Sequence, residues 1–66
     1  MNIEEFVNEN NLYAEPFEKI ADMYIKYLKD TEGYDKELLK VYFIAKLNLY
    51  ADHNKELFLV AGSKEI

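Results

Sequence analysis

Residues 38–51, LLKVYFIAKLNLYA, constrain the fold more than any other stretch. Eleven of the fourteen are apolar, and only Lys40, Lys46 and Asn48 interrupt them. At about 100° per residue, Leu38, Tyr42, Ala45 and Leu49 fall on one side of a helix, flanked by Leu39 and Val41. Ile44, Leu47 and Ala51 fall nearly opposite. A surface helix carries one apolar stripe, whereas a helix apolar almost all round is buried from more than one direction. A chain of 66 residues has few atoms with which to cover both sides. The pattern therefore assigns the Leu38 side to the chain's own core. It leaves Ile44, Leu47 and Ala51 to meet a partner.

The rest of the chain offers no substitute for that partner. Cysteine is absent, so neither a disulfide nor a thiolate metal site can supplement a small core. Half of the residues are hydrophobic and ten are aromatic, a surplus that a single small domain cannot bury. Oligomerisation is the common remaining solution, so a homodimer or a complex with a larger protein is expected.

Charge narrows the class of partner. Glu4, Glu5, Glu9, Glu15, Glu18 and Asp22 face only Lys19 in the first 25 residues, while acids and lysines balance in the remainder. No arginine occurs. Direct binding of DNA or RNA normally needs a basic face, usually with arginine for bidentate contacts, and is not expected. The acidic first third reads as a solvated face, or alternatively as a nucleic-acid mimic that blocks a DNA- or RNA-binding protein. The opening residues lack the basic start and apolar run of a signal peptide. The stretch 38–51 is too short and too rich in lysine to span a bilayer. No membrane association is expected, and the cytoplasm is the expected location.

Read in order, the chain spells out short helices and their ends. Asn2 and Glu5 make a capping-box pair, and Ile3, Phe6 and Val7 share a face. Asn8, Asn10 and Asn11 favour local backbone bonds and should stop this helix near Glu9, with Leu12 and Tyr13 tucked against the core. Pro16 suits the first turn of a second helix over roughly residues 16–31. Phe17, Ile20, Ala21, Tyr24, Leu28 and Thr31 line its inner face. Gly33 can close that helix and Asp35 can cap the third. So short a linker makes the second and third helices an antiparallel αα-hairpin. A break is expected near residues 52–54, followed by a last short helix through Leu57, Phe58, Val60 and Ala61, or alternatively a terminal strand. Residues 63–66 should fray. The fold class is thus all-α, one domain over residues 1–66, with three to four helices built on the hairpin.

Within this frame the stretch EGYDKELLKVYFIAKLNL is similar to the turn and second helix of a tetratricopeptide repeat, through Gly33, Tyr34, Tyr42 and Ala45. Leu38 stands where that family favours a small residue, and no proline follows the helix. One repeat cannot bury its own face, so the likeness is read as that of a helical hairpin in general.

The inventory of reactive groups points to binding, not catalysis. His53, Ser63 and Thr31 are each the single residue of their type, which makes a nucleophile–base pair improbable, and no glycine-rich phosphate loop exists. Asp52, His53 and Glu56 could approach one another on a helical turn, but zinc normally takes four closed ligands, and the expected role of these residues is at a helix end. No cofactor, no metal and no small-molecule substrate is expected. Six tyrosines carry more weight, because tyrosine is enriched where one end of a ring is buried and the other wet. Tyr27, Tyr34 and Tyr50 lie off the centres of the stripes and join Ile44, Leu47 and Ala51 as expected interface residues. The function these features imply is that of a small acidic module that regulates or inhibits another protein.

Overall fold

The computed structural model describes residues 2–58. Within them the chain is all-helical, with α1 at Ile3–Glu9, α2 at Phe17–Leu28 and α3 at Lys36–His53, and no strand. None of these helices is long and apolar enough to cross a membrane.

Local side-chain chemistry sets most of the helix ends. The Asn2 carboxamide oxygen accepts from the Glu5 N–H at 2.8 Å, and the Glu5 carboxylate accepts from the Asn2 N–H at 3.3 Å, completing the expected box. At the other end of α1, Asn11 takes a left-handed φ of 53°. The Leu12 N–H then returns to the Val7 carbonyl at 3.0 Å and the Asn11 N–H to the Asn8 carbonyl at 3.3 Å. This is a Schellman closure made with asparagine, and it sends buried Leu12 back over buried Val7. Asp35 caps α3 by accepting from the Glu37 and Leu38 amides at 3.0 and 3.4 Å. At the far end the Asn54 N–H and side-chain amide both donate to the Tyr50 carbonyl, and α3 stops there.

α2 begins and ends a little inside its expected range. Pro16 precedes the first turn, and the helix leaves off at Leu28. Lys29 takes φ of 62°, so the reversal falls at a lysine four residues before Gly33, which itself sits at φ of 89°. Thr31 is thereby removed from the helix yet still buried, and its carbonyl accepts from the Tyr34 N–H at 3.1 Å. Residues 54–57 form a turn and do not begin a fourth helix. The remainder of that expected element and the frayed tail lie outside the described residues.

The core combines Ile3, Phe6 and Val7 of α1 with Leu12, and Phe17, Ile20, Ala21, Tyr24 and Ile25 of α2 with Phe43, Leu47 and Ala51 of α3. Aromatic rings join the helices. Tyr24 meets Phe6 at 5.2 Å and Phe43 edge-on at 4.9 Å between centroids. Phe58, just past α3, is edge-on to Tyr13, Phe17 and Tyr50 at 5.2, 5.7 and 5.4 Å. That triple contact folds the segment after α3 back over the start of α2.

Candidate functional site

α3 is the element on which structure and sequence expectation part. Phe43, Leu47 and Ala51 recur every fourth residue and turn inward, Leu47 at 0% and Ala51 at 1% exposure. Leu38, Val41, Tyr42 and Leu49 turn outward at 67, 63, 55 and 59% exposure, with Ala45 exposed between them. The two faces are therefore exchanged relative to expectation. Leu47 and Ala51 are core residues, and Ile44 is half-buried and packed against the core instead of projecting from it.

The physical reason lies at the end of the helix. α3 runs unbroken through Asp52 and His53, which share the outer face with Leu49 and are exposed. Burying the Leu38–Leu49 side would carry both polar groups toward the core, at a desolvation cost that their exposed placement avoids. Turning Phe43 inward also buries the one aromatic side chain of the helix that carries no hydroxyl. Lys40, on the inward side near the margin, reaches across to α2. Its ammonium lies 3.4 Å from Asp22 and 3.9 Å from Glu18, so it is paired at the boundary and not stranded.

The outer face is a continuous apolar stripe about three turns long, from Leu38 to Leu49. Tyr42 is steadied on it by the Phe43 ring at 5.4 Å and by the Lys46 ammonium 5.9 Å from its centroid. Asn48 donates its side-chain amide to the Ile44 carbonyl at 3.0 Å, folding a polar group against its own helix at the stripe's edge. Chemically the stripe offers no nucleophile and no cradle for a charged ligand. It offers apolar area on a rigid support, which is what a docking surface requires.

The three tyrosines expected at an interface divide. Tyr34 is 64% exposed in the turn that leads into α3, next to the Leu38 end of the stripe. Tyr27 is 45% exposed, but its ring packs at 5.1 Å from Phe6 and 5.9 Å from Tyr24, away from the stripe. Tyr50 is half-buried, with its hydroxyl 3.5 Å from that of Tyr13, which in turn donates to Asn8 at 2.5 Å. The Tyr13 hydrogen bond, with burial second, pushes the Tyr50 hydroxyl up to about 12. Tyr50 is thus a structural bridge between the α1–α2 connector and α3. Of the six residues expected at an interface, Tyr34 alone borders the exposed stripe.

Two further features bear on function. The acidic side chains on and just before α2 are partly compensated: Glu15 pairs with Lys19 at 3.1 Å, and Glu18 and Asp22 share Lys40. Only a reduced row of acids is then left to face a basic cleft. Beside the turn between α2 and α3 lies a recess of about 420 Å³ lined by Asp22, Lys26, Lys29, Lys36, Glu37 and Lys40 among others. Four lysines meet there in a chain of net charge −5. Sequence reading did not find this recess, because its lysines come from two helices and the turn between them. Among the described residues, no three of the histidine, aspartate and glutamate side chains come together as a group able to hold a metal ion.

Comparison with protein-family models, with curated proteins and with solved structures gives no match for this chain.

Proposed function

We propose that the protein is a small acidic interaction module that regulates or inhibits another protein by docking through the outer face of α3. The observation that carries this reading is the stripe of Leu38, Val41, Tyr42, Ala45 and Leu49, exposed along one side of a helix whose other side is core. Such a stripe left in water costs roughly 25 cal/mol for each Å² of apolar surface, a cost that docking removes. On this reading α2 and α3 form an antiparallel hairpin that acts as the rigid backing of the stripe. Phe17 pairs with Phe58 and Tyr24 with Phe43, the order expected when one helix runs up as the other runs down. The role proposed is one of binding without catalysis, since His53, the single histidine, sits exposed at the end of α3.

The test is capture from an extract of the native host on immobilised protein. The wild type is compared with Leu38→Glu/Leu49→Glu and with Glu15→Gln/Glu18→Gln. Both pairs change exposed or edge positions and should keep the helical circular dichroism. A partner held by the wild type is expected to survive high salt, because hydrophobic burial is not screened, and to be lost from the Leu38/Leu49 variant. Binding that disappears in salt and in the Glu15/Glu18 variant, yet persists in the Leu38/Leu49 variant, would move the acting surface to the acidic end.

A further inference from the structure

The outer stripe has a spacing that says what can cover it. Leu38, Tyr42, Ala45 and Leu49 follow one another at intervals of four, three and four residues, the same read in either direction. These steps average about 3.7 residues, close to the 3.6 of a straight helix, so all four positions stay on one side of α3. A half-turn about an axis beside the midpoint of this set maps the stripe onto itself in reverse. Leu38 then lies opposite Leu49, and Tyr42, the largest side chain of the set, lies opposite Ala45, the smallest.

Building on the reading of this face as a docking surface, we propose that its occupant is a second copy of the chain, paired through α3 in antiparallel fashion about a twofold axis. An isologous interface requires a patch that is complementary to itself, and a palindromic stripe of large against small and leucine against leucine meets that requirement. Tyr42 of each copy fills the space above Ala45 of the partner subunit, and the two leucine layers close the ends. Antiparallel pairing also sets the positive end of one α3 beside the negative end of the other. From the exposures of its five residues the stripe presents on the order of 500 Å² per copy, so pairing covers at most about 1,000 Å², the threshold for a specific interface, with Val41 set at the edge opposite Lys46 of the partner subunit. Tyr34, exposed beside the Leu38 end, adds to that area.

One feature limits the affinity. Asp35 and Asp52 close the two ends of the stripe, and a half-turn sets each opposite the other. Both are exposed, so the repulsion is screened, but it makes association stronger as ionic strength rises. α3 in the pair is flanked by α1 and α2 on one side and by the partner's α3 on the other. A helix apolar almost all round then has cover for both faces.

The experiment combines sedimentation equilibrium with cross-linking, for which the lack of native cysteine is an advantage. The full chain is expected to show a monomer–dimer equilibrium with a dissociation constant in the micromolar range, tightening with salt. Leu38→Glu/Leu49→Glu is expected to remain monomeric with unchanged helical circular dichroism. An equimolar mixture of Leu38→Cys and Leu49→Cys, gently oxidised, should give the mixed disulfide. Neither variant alone should cross-link, because like positions lie about 16 Å apart in the antiparallel pair. A wild type that is monomeric at every concentration overturns the proposal but leaves capture of another protein to be judged by the extract experiment. Efficient Leu38→Cys self-cross-linking overturns the antiparallel seam, since it places like ends together.

Discussion

Leu47→Glu is expected to abolish the folded state, with loss of the helical circular dichroism at neutral pH. Leu47 is fully buried on the inner face of α3, within a core that also holds Phe17, Ile20 and Phe43. A carboxylate there loses its hydration, and a buried ion without a partner costs several kcal/mol. A 66-residue chain has a total stability of about 3–10 kcal/mol, so one such group is enough to unfold it. Leu49→Glu is the matched control. It lies two residues on, on the outer face, and is expected to change stability by no more than about 0.5 kcal/mol. A folded Leu47→Glu protein with an unfolded Leu49→Glu protein would mean that the two faces of α3 are assigned the wrong way round.

Phe17→Ala is expected to cost about 3–5 kcal/mol, read as a fall in the urea midpoint. Phe17 is 1% exposed at the first turn of α2, and its ring stands edge-on to Phe58 at 5.7 Å. Phe58 is held in turn by Tyr13 and Tyr50, so one ring links the start of α2, the α1–α2 connector and the segment beyond α3. Truncating Phe17 leaves a cavity where these converge, and rings already fixed by several neighbours have little freedom to collapse into it. A loss below about 1 kcal/mol, near the centre of ordinary point-mutant effects, would mean that Phe58 does not depend on Phe17 for its position.

Much of this architecture is legible from local chemistry. Asn2 with Glu5 marks one helix start and Asp35 another, because each side-chain oxygen can satisfy an amide that the first turn leaves bare. The inner face of α2 follows from the spacing of Phe17, Ile20, Ala21 and Tyr24, since its polar residues cluster on one arc and leave a single choice. The end of α2 was harder to read. Gly33 is the better former of a left-handed turn, yet Lys29 takes that conformation first, which lets Thr31 be buried.

The candidate site was legible as a helix but not as a face. Both sides of α3 are apolar, so periodicity identifies a doubly covered helix without saying which cover belongs to the chain itself. Phe43 tips the balance because its ring, unlike that of Tyr42, has no hydroxyl to keep wet, and Asp52 and His53 tip it again by polarity. The helix ends at His53, within the break expected near residues 52–54, and its last turn still includes both polar residues. Continuity through His53 is what reverses the assignment, moving Leu47 and Ala51 into the core and Leu38, Tyr42 and Leu49 out of it.

The most direct measurement is the thiol-labelling rate of Leu47→Cys and Leu49→Cys in dilute solution under native conditions. A chain without cysteine gives no background. Leu49→Cys is expected to react nearly as fast as an unfolded peptide, because its position is 59% exposed. Leu47→Cys should react only through opening of the fold, slower by a factor of about 10² or more for a domain of this size. Equal rates at the two positions, or faster reaction at position 47, would contradict the division of α3 into a buried face and a docking face.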